Sequence, residues 1–218
     1  MKTFVDDFVR ADAALNGSTL SGGGATWVAS TWAIASNRAQ TSNLGAFGSG
    51  VAMVSAEADT DDVFTRVTLS SFTSQASDLL ALNIIVGAAS DRSTGYVATL
   101  SRETDGSGAQ VIKRLSDDVV LASATVAAYT SGEFELRRIA GQLVLLKDGV
   151  IILGPVGPGV PEPTGAGNRY SGFSAFCLNG STPNLVEASA FAAGDRVIPA
   201  AIFPSIIRPG LFTPGTAR

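Results

Sequence analysis

The chain has 218 residues and is 45% hydrophobic, which is typical of one globular domain and excludes a mostly disordered protein. Only 16% of the residues are charged, and the net charge is −4. Arg137 and Arg138 are adjacent, but no longer basic run occurs. Because nucleic-acid affinity comes mainly from clustered Lys and Arg, this composition argues against a nucleic-acid partner.

The N-terminal sequence and the longest apolar stretch predict neither export nor membrane insertion. Asp6 and Asp7 interrupt the apolar core that a signal peptide needs. Leu79–Ala89 is the longest apolar stretch, and it is much shorter than the roughly 20 residues that span a bilayer. We therefore expect synthesis in a cytoplasm, without export by a signal peptide.

Proline divides the chain into a body and two proline-rich segments. Residues 1–154 contain none, four of the nine prolines lie in Gly154–Gly167, and the last four recur every fifth residue from Pro199. Because proline cannot donate to a sheet ladder, this distribution predicts strands, then a loop, then a tail. We expect a β-sandwich over residues 1–194 and an extended, Pro-rich C-terminal arm over residues 195–218.

Apolar and polar residues alternate with a period of two through the body, as they do in half-buried strands. Leu79–Val86 is apolar at nearly every position and is predicted to be a central strand buried on both faces. Asp148-Gly149 lies between two apolar runs and predicts a type I′ hairpin, whose two central residues need positive φ. Further strands are predicted at Val63–Leu69, at Tyr96–Ser101, around Phe134 and Leu136, at Tyr170–Leu178 and at Leu185–Ala192.

These patterns predict eleven to thirteen strands and no helix. So many short strands indicate an all-β fold, a two-sheet antiparallel β-sandwich of the jelly-roll type. Cys177 is the sole cysteine, so the chain cannot form an intrachain disulfide. It alternates in phase with Phe173 and Ala175, which predicts that it is buried.

The first forty residues combine Asp, Phe, an Arg-Ala-Asp triplet, Leu and two Trp in a characteristic order. The residues are Asp7-Phe8-Val9-Arg10-Ala11-Asp12-Ala13-Ala14-Leu15, then Trp27, then Trp32-Ala33-Ile34-Ala35-Ser36-Asn37-Arg38-Ala39. They resemble the "DxFxRADxxL…W" and "WxIxxNxA" strands of the concanavalin A-like (laminin-G-like) jelly rolls found in bacteriophage virion proteins. Later landmarks agree with this family, namely Asp59–Asp62 before Val63, Gly95-Tyr96, Leu143 to Gly149, and Gly172-Phe173. The resemblance covers roughly residues 4–192, and it implies a concanavalin A-like fold and a virion role.

The residues that most enzymes need are missing from the sequence. The chain contains no histidine, which excludes Ser-His-Asp and Cys-His catalysis and the commonest zinc ligands. The Ser-x-x-Lys spacing is absent, and no Gly-rich loop precedes a predicted helix, as a phosphate or dinucleotide site would require. We therefore predict a protein that is not an enzyme and has no cofactor.

The acidic run from Glu57 to Asp62 lies where a turn is expected before the Val63 strand. Its simplest interpretation is a solvated turn, but Asp59, Asp61 and Asp62 are also candidates for a calcium or other cation site. Glu57, Asp59 and Asp62 resemble the "ExDxxE" strand of laminarinase-type members of the fold, although Asp62 replaces the final Glu. A retaining glycosidase needs two carboxyls held about 5–5.5 Å apart, which a turn holds poorly.

Trp27 and Trp32 admit two interpretations. An indole that lies on the surface of a lectin-like fold can stack on a sugar ring, whereas one in the core contributes a large buried apolar area. The core interpretation is favoured, because only 7% of the residues are aromatic and a sandwich of this size needs large side chains to fill it.

The C-terminal arm is the feature that departs most from a simple sandwich. Its proline spacing forbids both helix and sheet ladder. Exposed apolar groups gain nothing in water, so such an arm is expected to dock on its own sheet or on a neighbouring subunit. The apolar residues predicted to dock are Ile198, Ile202, Phe203, Ile206, Ile207, Leu211 and Phe212, with Val197 preceding them.

Three functional hypotheses follow. The first is a structural bacteriophage virion protein, at a minor tail or tail-tip position or alternatively on the capsid surface, bound to other virion proteins and to copies of itself. The second is a carbohydrate-binding module for a host-surface glycan. The third, an endoglycosidase, depends on Glu57, Asp59 and Asp62.

Overall fold

A computed structural model describes residues 1–41, 48–73, 79–103, 105–178 and 185–196. Within these ranges the chain forms sixteen β-strands and no helix, which confirms the all-β prediction and exceeds the predicted number of strands. No described segment is a helix long and apolar enough to cross a membrane. The strands are β1 (Thr3–Asp6), β2 (Ala13–Ala14), β3 (Trp27–Ser30), β4 (Trp32–Ala35), β5 (Arg38–Thr41), β6 (Ser49–Val54), β7 (Val63–Thr73), β8 (Leu79–Ala88), β9 (Tyr96–Arg102), β10 (Ser107–Arg114), β11 (Val120–Ala127), β12 (Gly132–Ile139), β13 (Gln142–Lys147), β14 (Val150–Val156), β15 (Tyr170–Leu178) and β16 (Leu185–Asp195).

The described strands form two antiparallel sheets, as the sequence predicted. The nine-stranded sheet has the order β14-β13-β12-β7-β16-β5-β4-β2, with β1 also paired to β16. The seven-stranded sheet has the order β11-β10-β9-β8-β15-β6-β3. Strands distant in sequence pair at the centre of each sheet: β7 with β16, and β8 with β15. Most of the pairing is therefore non-local, as in other sandwiches.

The central position of β8 explains its apolar sequence. Leu80, Leu82 and Ile84 point between the sheets and are fully buried. Ile85 points to the opposite face and is also buried, against Val97 and neighbouring residues. A strand buried on both faces needs apolar residues at consecutive positions, and this interpretation is confirmed for most of β8, although Leu79 and Asn83 are only half-buried on the outer face.

Aromatic side chains fill the core beneath the first strands. The Trp27 ring contacts Phe173 and Phe191 edge to face at centroid distances of 5.4 and 4.7 Å, and Trp32 contacts Phe173 at 4.7 Å. Trp27 and Trp32 are only 1% and 3% exposed. This arrangement confirms the core interpretation and corrects the alternative that these indoles stack on a glycan, because neither ring offers a face to a ligand. Cys177 is buried in the same core, as predicted.

The turn chemistry follows the sequence, with one correction. Asp148 and Gly149 join β13 to β14 with φ of 49° and 77°, which confirms the predicted hairpin. The segment Gly154–Gly167, however, is not a loop throughout, because β14 continues to Val156 and contains Pro155. Strand β14 lies at the edge of its sheet. Proline is tolerated in an edge strand, because the backbone N–H that it lacks need not pair with a neighbouring strand.

The predicted arm lies almost entirely outside the described residues. Strand β16 ends at Asp195 in the nine-stranded sheet, and Arg196 is the last described residue. The division into residues 1–194 and 195–218 stays a prediction. The predicted docking residues Ile198, Ile202, Phe203, Ile206, Ile207, Leu211 and Phe212 lie outside the described ranges.

Candidate functional site

The acidic turn between β6 and β7 fastens other segments of the chain to the sandwich. Asp61 Oδ1 accepts hydrogen bonds from the Arg169 side chain and the Gly165 backbone N–H, both at 2.8 Å, and lies 3.4 Å from Arg138. The hydrogen bond from Arg169 is the main reason that the pKa of Asp61 falls below its ordinary value. Asp61 therefore holds the loop between β14 and β15 against the body.

The other carboxylates of this turn have different structural partners. Asp59 forms ion pairs with the N-terminal ammonium group at 2.8 Å and with Lys2 at 3.1 Å. Asp62 accepts the Ala140 N–H at 2.7 Å, and Glu57 accepts the Gly167 N–H at 2.7 Å.

Each of these acidic groups thus has structural partners, and Glu57 and Asp61 share the loop between β14 and β15. The described residues contain no group of three or more His, Cys, Asp or Glu side chains that could hold a metal ion. The geometry gives Asp59, Asp61 and Asp62 a structural role instead of the cation role considered from sequence. It gives no support to an acid–base pair made from Glu57, Asp59 and Asp62.

The outer face of the seven-stranded sheet carries a depression of about 340 Å³, here called the sheet groove. Its floor comes from β8, β9 and β15, and its rim comes from β10 and the two turns at the ends of β8 and β10. Residues on the floor alternate with core residues along each strand, so the period of two that builds the core also builds the groove. The lining residues are Leu79, Ala81, Asn83, Ile85, Arg92, Val97, Thr99, Ser101, Lys113, Leu115, Asp118, Ser174 and Phe176.

Three polar side chains form a hydrogen-bonded ladder across the groove floor. Thr99 Oγ1 donates to Asn83 Oδ1 at 2.7 Å, and Asn83 Nδ2 donates to Ser174 Oγ at 3.0 Å. The ladder exists because Asn83 is paired in register with both Thr99 and Ser174 on the adjacent strands. The Ser174 hydroxyl keeps its own proton to donate, and Asn83 keeps a second amide proton. The floor can therefore both donate and accept hydrogen bonds.

Apolar and aromatic surfaces lie beside this ladder. Phe176 is half-buried on β15 and lines the groove. At the other end of β15, half-buried Tyr170 packs on an outer-face cluster formed by Met53, Ile85, Ala88 and Val97. Gly172 makes room for this cluster, because a Cβ atom there would lie 2.5 Å from Met53 Sδ. The two aromatic rings thus flank the polar ladder on the same strand.

A second depression of about 330 Å³ adjoins the cluster on the side of β3 and β6. Tyr170, Met53 and Val28 give it apolar walls, and Asp91 lies at its edge. The Asp91 carboxylate accepts hydrogen bonds from the Ser93 hydroxyl and backbone N–H, which lower its pKa. The outer-face cluster connects the two depressions, since Met53 and Tyr170 line this one and Ile85 and Val97 line the sheet groove.

The sequence named Trp27 and Trp32 as the candidates for stacking on a glycan. It did not single out Tyr170, Phe176 or Asn83, which line the outer face. One signal was present in the sequence. Asn83 is the polar exception within the apolar stretch Leu79–Val86. A polar side chain in a central strand needs a partner or a function, and Asn83 has partners on both neighbouring strands.

No protein-family model and no curated protein matches the sequence. Solved structures do match the fold. The Ca²⁺-bound exoplasmic/lumenal domain of VIP36 has a TM-score of 0.57 at 12% identity, covering 90% of this chain and 91% of that one. The potassium-bound carbohydrate recognition domain of Emp46p has a TM-score of 0.55 at 14% identity, covering 79% and 89%. A legume lectin-like domain from Entamoeba histolytica has a TM-score of 0.50 at 10% identity, covering 78% and 90%. This chain therefore has the concanavalin A-like, legume lectin-like β-sandwich fold.

Proposed function

We propose that this domain binds carbohydrate in the sheet groove. The observation that carries the proposal is the ladder of Asn83, Thr99 and Ser174 beside the aromatic side chain of Phe176, with Tyr170 farther along the same strand. A sugar ring has hydroxyl groups that donate and accept hydrogen bonds, and C–H faces that pack on aromatic rings. A mostly apolar depression with a few convergent polar groups matches those requirements.

The structural likeness supports the same proposal at the level of the fold. The Emp46p domain is a carbohydrate recognition domain, and one VIP36 structure contains Man3GlcNAc. Their sequences are too different from this one to transfer a ligand or a binding residue. The proposal therefore depends on the groove residues of this chain, whose one carboxylate, Asp118, is not the pair of carboxyls that glycoside hydrolysis uses.

Replacing Asn83 or Phe176 with alanine is expected to weaken glycan binding about tenfold each, or about 1.4 kcal/mol. Asn83 supplies hydrogen bonds at the centre of the floor, and Phe176 supplies apolar contact at its edge. The measurement is a glycan array followed by titration calorimetry on the strongest ligand.

Thr68→Ala provides the matched control, because Thr68 lies on the other sheet and points away from the core. Its affinity should equal that of the wild type, and all three variants should keep the wild-type circular dichroism spectrum. Full binding by both groove variants would show that the glycan, if one binds, occupies another surface.

We also propose that the protein is a structural component of a bacteriophage virion, at a minor tail, tail-tip or capsid-surface position. This proposal rests on the resemblance of the N-terminal segment and on the apolar, proline-spaced sequence of residues 197–218. In this role the arm attaches the sandwich to other virion proteins or to copies of itself. The sheet groove remains accessible for a host-surface glycan, so the two proposed roles are compatible.

Deleting residues 197–218 is expected to abolish incorporation into virus particles while leaving the sandwich folded. The deletion begins after Arg196 because Asp195 is buried and accepts hydrogen bonds from the Lys2 backbone and from Thr60. Incorporation is measured by immunoblotting of purified particles, and folding by thermal denaturation of the free protein. Undiminished incorporation of the shortened protein would contradict the anchoring role.

A further inference from the structure

The ion pairs of this protein leave very few cations without a carboxylate partner. Among the described residues, all but three of the lysine and arginine side chains form an ion pair with an acidic group. The three exceptions are Arg92, Arg102 and Lys113. Such pairing is expected in an acidic protein with a net charge of −4, where carboxylates outnumber cations.

Two of these three unpaired cations line the sheet groove. Arg92 reaches it from the turn between β8 and β9, and Lys113 reaches it from β10. Arg102 ends β9, and its Nε atom is buried without a hydrogen-bond partner in the described part of the chain. Most other cations of the protein are paired with a carboxylate. The unpaired positive charges in the groove therefore favour the binding of an anionic ligand.

The backbone departs from regular geometry at both cationic positions. Arg92 has a φ of 63°, in the left-handed region that non-glycine residues rarely adopt. The turn that imposes this conformation is closed by the Arg92 N–H bond to Ala89 O at 2.9 Å and by the Asp91 bonds to Ser93. Lys113 lies at a register shift between β10 and β11, which is the kind of irregularity that redirects a side chain. Strain of this kind is often retained at ligand-binding positions.

The acidic groups around the groove do not cancel this charge. Asp118 lines the same rim, but it forms no ion pair with Arg92 or Lys113. Asp91 adjoins Arg92 and interacts with it electrostatically, but its carboxylate is hydrogen-bonded to Ser93, lines the second depression and forms no ion pair with Arg92. The lining therefore contains two cations and one carboxylate, opposite in sign to the protein as a whole.

We infer that the glycan bound in the sheet groove is acidic, with a carboxylate or sulfate group that contacts Arg92 and Lys113. This inference rests on the proposed function and specifies its ligand class. The Asn83 ladder and the aromatic side chains contact the sugar ring, while the guanidinium of Arg92 offers paired donors that match a carboxylate or sulfate. Lys113 is half-buried, so an anionic ligand also relieves the cost of holding an unpaired charge away from water.

The test compares acidic glycans with neutral counterparts that have the same sugar backbone. An array carries uronate polymers beside their methyl-esterified forms, and sulfated glycans beside their desulfated forms. The wild type is expected to bind the acidic member of a pair at least about tenfold more tightly than the neutral member. Only the acidic member accepts charge-assisted hydrogen bonds from Arg92 and Lys113. The combined variant Arg92→Gln/Lys113→Gln is expected to lose that preference and to retain binding of the neutral member.

Arg38→Gln is the matched control, because Arg38 is an exposed cation of the other sheet and is paired with Glu187. It should keep the full acidic preference. Raising the salt concentration from 50 to 300 mM should weaken wild-type binding of the acidic glycan and leave the neutral one unaffected, since added salt screens exposed charges (the Debye length is about 8 Å at 0.15 M).

Two outcomes separate this inference from the function on which it rests. Equal wild-type affinity for the acidic and neutral members of each pair, with binding lost in Asn83→Ala but unchanged in Arg92→Gln/Lys113→Gln, would overturn the acidic specificity alone. No binding to any glycan on the array would overturn both the acidic specificity and the carbohydrate-binding function.

Discussion

Replacing Asp6 with alanine is expected to lower the free energy of unfolding by about 3–5 kcal/mol, the range for breaking a buried charged pair. The Asp6 carboxylate is inaccessible to solvent and receives four hydrogen bonds. Two come from the Arg10 guanidinium at 2.7 and 2.8 Å, one from Trp27 Nε1 at 2.6 Å and one from the Phe8 N–H at 3.0 Å. Alanine leaves the buried indole N–H without its acceptor and leaves the partly buried guanidinium with only its hydrogen bond to Ser18 Oγ, and water cannot fully replace the lost hydrogen bonds.

The neighbouring residue supplies the control for this prediction. Asp7 is exposed, and its carboxylate accepts only the Val9 N–H within the described structure. Asp7→Ala should therefore change the free energy of unfolding by less than about 1 kcal/mol. Urea denaturation followed by tryptophan fluorescence measures both variants, and Trp27 reports directly on the site. Equal stability of the two variants would contradict the role given to Asp6.

The Asp6 cluster also explains the N-terminal motif that the sequence displays. Asp6, Phe8, Arg10 and Trp27 meet at one point, with the Phe8 and Trp27 rings 6.1 Å apart. The acidic residue that matters is Asp6, which the one-residue spacing between Asp and Phe in the motif also selects, and Asp7 is the residue between them. The motif therefore encodes a way of fixing the first strand to the core. It identifies a fold and carries no information about a ligand.

Much of the fold could be predicted because its signals are local. The dipeptide Asp148-Gly149 predicts a type I′ turn without information from the rest of the chain, since few other dipeptides adopt positive φ at both positions. The apolar run of β8 indicates burial on both faces, because no exposed strand would tolerate it. Strands β1–β5 were harder to predict individually, since each has only two to four residues and too few alternations to recognise.

The candidate site could not be predicted, because it depends on the pairing of distant strands. Asn83 and Ser174 are 91 positions apart, and their contact requires that β8 and β15 be neighbours in register. A period of two also shows that Trp27 and Phe176 alternate with their neighbours without showing which face is the core. The sequence therefore favoured the core for Trp27 and Trp32, with glycan stacking as the alternative, and gave no reason to single out Phe176.

Replacing Asp61 with alanine is expected to lower the free energy of unfolding by about 1–3 kcal/mol and to release the loop between β14 and β15. The Gly165 N–H, Arg169 and Arg138 all lose their shared acceptor. Arg138 is the most sensitive of these, since its side chain is 5% exposed and its Nη1 atom already lacks a partner in the described residues. The effect is smaller than for Asp6, because the Asp61 side chain is 40% exposed and water replaces part of what is lost.

The same residue makes the stability depend on pH. The pKa of Asp61 in the folded protein lies below that of the unfolded chain, chiefly because Arg169 donates to its carboxylate. The stabilisation is therefore complete above pH about 4, the ordinary value for aspartate, and is lost as the pH falls through the lower folded value. Asp61→Asn removes this contribution, so its free energy of unfolding should change less than that of the wild type between pH about 4 and 2.

Hydrogen exchange locates the effect of the Asp61 substitution within the structure. The Gly165 amide, which loses its acceptor, should exchange faster in Asp61→Ala, whereas amides at the centre of β8 should keep their protection relative to global stability. Asp59→Ala is the comparison, because within the described residues the Asp59 carboxylate binds only the N-terminal ammonium group and Lys2, and alanine keeps the backbone carbonyl that accepts from Arg169. It should leave the loop amides protected, since Gly167 is held by Glu57 and Gly165 by Asp61. If Asp59→Ala released the loop as strongly as Asp61→Ala, the turn would be acting through its total negative charge and not through the individual hydrogen bonds of Asp61.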